Sequence, residues 1–301
     1  MFDVLVIGGG PAGLTAALYA GRRGASCAVL EGQHTGGYLN LTPGIENYPG
    51  TGTLSGTELG ERMASQARDA GTEIIAKEAM KITGSVGAFK VECADGSALE
   101  AKTLVIATGA EHKKMGVKGE RDYAGKGVTY CATCDAPLFA GKPVAVVGGG
   151  NTALTNALYL ADLCSRVFLV HRHSEFKAEE TLVERVKANA KIELVLEAET
   201  TEVKGAAFVN ALIVKQKGKE RALAVSGVFV SVGVQPASLL ASELGVATDK
   251  TGNIEVDLKT CATSVPGVYA AGDVTGWFKQ VVGATAQGGL AGGNASDKAK
   301  S

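Results

Sequence analysis

Two cysteines three apart, with a carboxyl group next to the second, are the residue types that two-electron redox chemistry needs. In Cys131-Ala132-Thr133-Cys134-Asp135 the pair can close a small disulfide ring and reopen it to a dithiol. Asp135 stands ready to donate or take the proton that accompanies each transfer. The thiolate is the reactive species, and a helix N-terminus or a neighbouring charge lowers a cysteine pKa from about 8.5 towards neutrality. The competing chemistry is half of a structural zinc site, which needs a second Cys or His pair at short spacing. Cys27, Cys93, Cys164 and Cys261 each stand alone, and His171-x-His173 has the wrong spacing. The sequence therefore predicts no metal and a redox-active pair.

A second set of residues reads as a nucleotide site. Val4-Leu5-Val6-Ile7 is a continuous apolar run of the kind a buried parallel strand requires. Gly8-Gly9-Gly10-Pro11-Ala12-Gly13 follows it, and Leu14 to Arg23 reads as a helix. Strand, glycines and helix in that order let the backbone approach a pyrophosphate whose charge sits at the helix N-terminus. The next strand, Ser26 to Leu30, ends at Glu31, near the spacing at which an acid accepts hydrogen bonds from the adenosine ribose. Gly8, Gly10, Pro11, Ala12, Gly13 and Glu31 thus predict a dinucleotide site without a 2′-phosphate.

The motif recurs. A shift of 140 residues lays Val4–Ala20 on Val144–Leu160 with 10 of 17 positions identical, Gly8, Gly9 and Gly10 among them. Gly148, Gly150, Asn151, Thr152 and Ala153 form the second turn, and the redox pair falls between the two turns. The same shift places His171 where Glu31 stands. His171-Arg172-His173, with Lys177 a turn later, is a cluster that would suit a 2′-phosphate or simply a charged surface.

Length and composition frame these sites. A chain of 301 residues accommodates two domains. Thirty basic residues against 31 acidic ones give a net charge of −1, and so no general field for nucleic acid or an anionic membrane. Six cysteines are too few for a secreted disulfide framework. The chain runs from Met1-Phe2-Asp3 directly into an apolar strand that glycines interrupt before it reaches the length of a signal or spanning segment, which predicts a cytoplasmic protein.

Between the two turns, Thr35 to Gly50 is a long loop bearing glycine and proline, of a kind that is usually functional. Ser55-x-x-Glu58 has capping-box spacing and opens a helix to about Ala70. Short strands follow near Glu73 to Ala76, Ala79 to Thr83 and Phe89 to Val91. Leu104 to Gly109 then reads as a buried strand that ends in a small-residue turn at a sheet's carboxyl edge.

Taken together, Gly8–Gly13, Gly36-Gly37, Glu46 to Gly50, Ala107-Thr108-Gly109, Cys131 to Asp135, Gly148–Ala153 and Val268 to Val274 resemble the low-molecular-weight, bacterial-type thioredoxin reductases over nearly the whole chain. The resemblance implies an α/β fold of two Rossmann-like, three-layer dinucleotide-binding domains, the second inserted into the first. It places an FAD domain at 1–112 and 237–301, a pyridine-nucleotide domain carrying the C-x-x-C at 113–236, and hinges at about Glu111 to Gly116 and Gly233 to Pro236. It further implies a homodimer and FAD contacts from Gly32, Gly36, Gly37, Asn47, Thr108, Gly109, Gly272, Asp273, Gln280 and Val281. Cys134 is then the flavin-facing sulfur, Cys131 the one that attacks the partner disulfide, and Asp135 the acid.

The chain also departs from that family. Tyr38 replaces a glutamine and Lys279 an arginine, both expected to remain flavin contacts. Thr155 and Asn156 replace paired glutamates, and the His-Arg-Arg…Arg phosphate clamp is reduced to His171-Arg172-His173…Lys177. Arginine presents a planar, always charged fork to phosphate, whereas lysine is a point charge and histidine is mostly neutral at pH 7. The sequence therefore leaves three electron donors open: NADPH, NADH, or a protein such as reduced ferredoxin. The predicted function is an FAD-dependent reductase that passes electrons through Cys131–Cys134 to a thioredoxin-like protein. The alternative is an NAD(P)H-independent flavin disulfide oxidoreductase fed by ferredoxin or another donor, or a dithiol oxidase or electron-transfer flavoprotein for small molecules.

Overall fold

The structure is a computed structural model; it describes residues 1–301 apart from Pro43, and the side chains of Leu41 and Cys134 also lie outside the description. The chain forms two compact units, one of Met1–Glu111 with Gln235–Ser301 and one of His112–Val234.

The first unit opens with β1 (Phe2–Ile7), α1 (Pro11–Arg22), β2 (Cys27–Leu30), α2 (Gly56–Asp69) and β3 (Glu73–Ile75). It continues through β4 (Ala79–Ser85), β5 (Ala88–Cys93) and β6 (Ala98–Ile106), and β7 (Ala110–His112) runs into the first residue of the second unit. Helix α1 begins at Pro11, three residues before the apolar pattern indicates, because proline at the first helical position gives up only an N–H that has no intrahelical partner. Ser55 caps α2 by accepting from the Glu58 N–H at 3.2 Å, while the Glu58 carboxylate turns outward to Arg62 at 2.7 Å. Strands β3, β2, β1 and β6 are parallel neighbours, and β5 and β4 continue the sheet antiparallel. Residues alternate between two buried faces: Val4, Val6 and Val29 pack towards α1, while Leu5, Ile7 and Leu30 pack towards Phe89 and Val91 of the hairpin. Burial on both faces is what the unbroken apolar run of β1 reflects.

The second unit carries β8 (Val128–Thr129), α3 (Ala132–Asp135), β9 (Pro143–Gly148), α4 (Asn151–Leu163), β10 (Arg166–Val170), α5 (Glu180–Ala188) and β11 (Ile192–Val195). After these come β12 (Ala198–Gly205), β13 (Val209–Gln216), β14 (Lys219–Ala224) and β15 (Gly227–Ser231). Its parallel sheet has the order β11-β10-β9-β15-β8. Helices α4 and α5 cover one face, packing on Val144, Val146 and Leu169, and the antiparallel sheet β12-β13-β14 covers the other through Leu212, Val214 and Leu223.

The chain returns through β16 (Val234–Pro236), which pairs with β7, then α6 (Leu239–Glu243), β17 (Val268–Ala270) and α7 (Val281–Lys300). Strand β17 adds to β6 in parallel. Helix α7 lies very close to α1, because a Cβ at Gly288 would come within 2.3 Å of the Ala12 carbonyl and one at Gly292 within 2.0 Å of the Ala16 carbonyl. Among the described residues, no helix is long and apolar enough to cross a membrane.

Candidate functional site

In the first unit the glycine turn joins β1 to α1. A Cβ on Gly8 would meet the Ala107 carbonyl at 2.3 Å and one on Gly13 the Gly8 carbonyl at 1.9 Å, so neither position admits a side chain. Gly10 faces open space, and no side chain caps the N-terminus of α1. Glu31 stands at the end of β2 with Oε2 accepting from the Gly9 N–H and Oε1 from the Gln33 N–H, both at 2.8 Å. Each carboxylate oxygen keeps a lone pair for a ribose hydroxyl. Uncapped N–H groups, open space at Gly10 and a fixed acceptor fit the adenosine and pyrophosphate of FAD.

The other predicted flavin contacts gather in the same unit. Gly36 donates its N–H to the Gly9 carbonyl at 2.8 Å, and a Cβ on Gly37 would lie 3.2 Å from Gly10 Cα. Asn47 Nδ2 donates to Gln280 Oε1 at 3.1 Å, just ahead of Val281 at the start of α7, and Thr108 Oγ1 donates to the Ala237 carbonyl at 2.6 Å beside Gly109. Gly272, at φ +83°, lies against Ala12 and donates its N–H to Gln287 Oε1. Burial pushes Asp273 above the usual carboxylate range against the pull of Lys279. Burial also pushes the Tyr38 phenol up, with the Asp273 and Glu111 carboxylates adding to the effect. Gly32 lies against Glu78. Gln287, absent from the sequence reading, is 3 % exposed, and among the described residues its Nε2 has no hydrogen-bond partner.

In the second unit Cys131 is disulfide-bonded and lies directly before α3. That helix has only four residues, so no long helix dipole stands behind the sulfur. Cys134 is on α3, but its side chain lies outside the described atoms. Thr129 links the motif: its hydroxyl donates to the Asp135 carboxylate and accepts from the Cys131 N–H at 3.1 Å. No feature of the sequence pointed to that threonine. The other four cysteines are buried free thiols; burial pushes Cys27 up to about 12 and Cys261 up to about 11, so both stay protonated and unreactive.

The second glycine turn joins β9 to α4, and Gly150 caps α4 without a side-chain bond. A Cβ on Gly148 would come within 2.2 Å of the Ser231 carbonyl. The His171 ring occupies the place against Gly149 that Glu31 takes against Gly9, since a Cβ on Gly149 would be 2.2 Å from the ring. His171 Nε2 lies 3.1 Å from the Glu175 carbonyl, and the ring stacks on Phe176. Arg172 Nε donates to His173 Nε2 at 3.2 Å, and the Lys177 N–H donates to the Gly149 carbonyl at 2.8 Å. Asn151 and Glu179 exchange two hydrogen bonds of 2.9 and 2.8 Å. Thr152 is exposed on the first turn of α4 and Ala153 is buried beneath it. Asn156 is buried and donates to Ser231 Oγ at 3.2 Å, while Thr155 is half-buried.

The pyridine nucleotide-disulphide oxidoreductase family model matches residues 2–288. The thioredoxin reductase of Listeria monocytogenes is 36% identical over 299 residues, which are 98% of this chain and 93% of that protein. This chain belongs to the thioredoxin reductase family. Its class is accordingly that of the FAD-dependent disulfide oxidoreductases. The crystal structure of Lactococcus lactis thioredoxin reductase matches with a TM-score of 0.95 at 34% identity, covering 100% of this chain and 99% of that one. A Mycobacterium leprae protein named bifunctional thioredoxin reductase/thioredoxin is 37% identical over 290 residues, which span 95% of this chain and 63% of that protein.

Proposed function

We propose that the chain reduces the disulfide of a thioredoxin-like protein through Cys131 and Cys134. The observation that carries the reading is the disulfide-bonded Cys131 tied through Thr129 to the Asp135 carboxylate, in a chain whose other four cysteines are buried free thiols. The family's names and the fusion of a reductase with a thioredoxin in the Mycobacterium leprae relative support that partner.

Residues 1–112 and 237–301 form the FAD domain and 113–236 the nucleotide-type domain in this reading. The backbone at Gly10, Pro11 and Ala12 meets the pyrophosphate, Glu31 takes the ribose, and Asp273, Lys279 and Gln280 lie towards the flavin end. Bound FAD supplies the two-electron couple between a donor and the enzyme's disulfide. The exchange itself is balanced within thiol chemistry. The Cys131 thiolate attacks the partner disulfide and forms a mixed disulfide, and Cys134 then displaces the partner's sulfur. The enzyme disulfide re-forms, and two electrons and two protons leave with the partner dithiol. Asp135 carries a proton at the enzyme sulfurs, held in register by Thr129. The donor is NADPH, NADH or a ferredoxin-type protein, and the sparse His171-Arg172-His173…Lys177 cluster favours weak use of NADPH. The working unit is a cytoplasmic homodimer.

The test is anaerobic reduction of the purified yellow protein by NADPH and then by NADH, followed by reduction of oxidised thioredoxin in an insulin assay. Cys131→Ser and Cys134→Ser each abolish turnover, because one sulfur cannot close the ring that resolves the mixed disulfide. Wild-type turnover by either variant overturns the reading.

A further inference from the structure

Glu120 takes no part in the chemistry described so far, yet it is a carboxylate only 2 % exposed in the unit that carries Cys131. Its charge is compensated by three donors. Oε1 accepts from the Met115 N–H at 2.9 Å and from the Tyr130 hydroxyl at 2.7 Å, and Oε2 accepts from the Gly116 N–H at 2.7 Å. A buried carboxylate is retained only when such partners satisfy it, so its position and theirs are fixed together. The turn that carries it is held as well. A Cβ on Gly119 would strike the Val203 carbonyl at 2.1 Å, and the Lys118 carbonyl accepts from the Val203 N–H at 2.9 Å, so the turn rests on β12.

Tyr130 is the residue immediately before Cys131. Its hydroxyl is held by Glu120, the Lys114 ammonium lies 3.7 Å from its ring centroid, and the His112 ring is 5.8 Å away. Burial and the neighbouring Glu120 keep the phenol protonated well above the ordinary tyrosine range, so it remains a donor at any working pH. One carboxylate thus joins the segment that enters the unit, at Met115 and Gly116, to the residue that leads into the redox loop.

We infer that Glu120 is a positioning residue for the exchange step: through Tyr130 it fixes the backbone that presents Cys131 to a protein disulfide. This rests on the proposed reduction of a thioredoxin-like partner and deepens it. A macromolecular disulfide meets Cys131 only along a restricted approach, whereas a small alkylating agent reaches a thiol from many directions. Loss of the Glu120–Tyr130 bond therefore slows the first encounter and leaves the second alone.

The experiment compares wild type, Glu120→Gln, Tyr130→Phe and the double variant as FAD-loaded holoenzymes. Turnover with oxidised thioredoxin, reduction of the flavin by dithionite, melting temperature and, in a Cys134→Ser background, alkylation of Cys131 by iodoacetamide are measured on each. The expected result is roughly tenfold slower thioredoxin reduction, seen in kcat/KM for thioredoxin, with alkylation and flavin reduction changed less than about twofold. The double variant is no slower than the slower single one, because both changes remove the same bond. Should Glu120→Gln fail to fold, Tyr130→Phe decides alone, since it keeps the carboxylate with both of its backbone donors. Unchanged thioredoxin turnover, additive effects, or parallel changes in all the rates overturn the inference. A wild-type protein that cannot reduce thioredoxin overturns the proposed function, and this inference with it.

Discussion

The two glycine turns of this chain are built on one plan and end in opposite chemistry. Each follows a buried parallel strand, opens a helix that no side chain caps, and receives one side chain from the end of the neighbouring strand against its second glycine. In the first turn that side chain is Glu31, an acceptor anchored by two backbone N–H groups. In the second it is His171, seated among Arg172, His173 and Lys177, all of which oppose its protonation. The backbone plan is thus shared, and the two turns differ in the charge of the one side chain set against the second glycine. The turns also differ in one residue type. At Gly13 a Cβ would fall 1.9 Å from the Gly8 carbonyl, whereas its counterpart Ala153 carries a Cβ and is buried.

Exchanging those two residues gives the largest expected effect. In Gly13→Ala the new Cβ falls 1.9 Å from a backbone carbonyl that cannot rotate away. Overpacking of that kind typically costs about 1–3 kcal/mol and occasionally more, and the purified protein should lose its FAD and melt several degrees lower. Ala153→Gly relieves no clash and costs about 1 kcal/mol of helix propensity with about 0.8 kcal/mol for the buried methyl, leaving flavin content unchanged. Equal effects of the two substitutions on melting and flavin absorbance would break the comparison.

Restoring arginine to the second turn comes next. Charge-assisted hydrogen bonds contribute about 1.5–3 kcal/mol each, and about 1.4 kcal/mol is tenfold in affinity. His173→Arg with Lys177→Arg should tighten NADPH roughly tenfold to a hundredfold if each native residue keeps part of its contact, with NADH unmoved. The replacement also frees Arg172, whose Nε–H is now donated to His173. Titration of both nucleotides against the flavin-loaded protein reads the change. No gain for NADPH would mean that the turn holds no nucleotide, and a protein donor would then be the better reading.

Glu31→Gln keeps the size of the first acceptor, removes its charge and turns one of its two accepting oxygens into an NH2 donor facing a backbone N–H. The difference between charged and neutral acceptors is about 1–1.5 kcal/mol, so FAD should dissociate roughly tenfold more readily. His171→Glu performs the converse change and should leave NADH binding in place while rejecting NADPH. A variant that still prefers NADPH would show that the position against Gly149 does not govern the ribose.

Much of this was legible in the sequence because it depends on local order. The 140-residue repeat, the strand-turn-helix pattern and the place of Glu31 and His171 follow from residues close together in the chain. The antiparallel sheet β12-β13-β14 was not seen, because its strands alternate weakly and its burial depends on the face of a sheet formed far away in sequence. Thr129, Glu120 and Gln287 escaped for a related reason. Each is a common polar residue made significant only by a partner that the fold delivers, the Asp135 carboxylate, the Tyr130 hydroxyl and the Gly272 N–H in turn. Cap chemistry sits between these cases: Ser55 caps α2 as its spacing indicates, but Glu58 pairs with Arg62 and so completes only half of the box.

The smallest effect concerns pH and separates the turns by charge alone. Burial lowers the His171 pKa from its ordinary value, and the neighbouring His173, Arg172 and Lys177 lower it further against a bond to the Glu175 carbonyl. In the free protein the unfolded chain therefore binds more protons at this site, and stability rises with pH across the window just below the ordinary histidine pKa. A 2′-phosphate acts in the opposite sense, since its negative charge favours the protonated ring. NADPH binding should then be accompanied by proton uptake, and its affinity should increase as pH falls from about 8 to about 6. Below about 6 a phosphate monoester begins to take up its own proton, and the gain levels off. Linkage of a single proton limits the change to tenfold per pH unit, and partial uptake gives roughly two- to fivefold over the window. NADH has no 2′-phosphate and should show a flat profile. Dissociation constants for both nucleotides at several pH values test this, and in His171→Gln the slope should vanish because the amide does not titrate. An NADPH/NADH ratio that stays constant from pH 8 to 6 would show that the His171 imidazole does not face the phosphate.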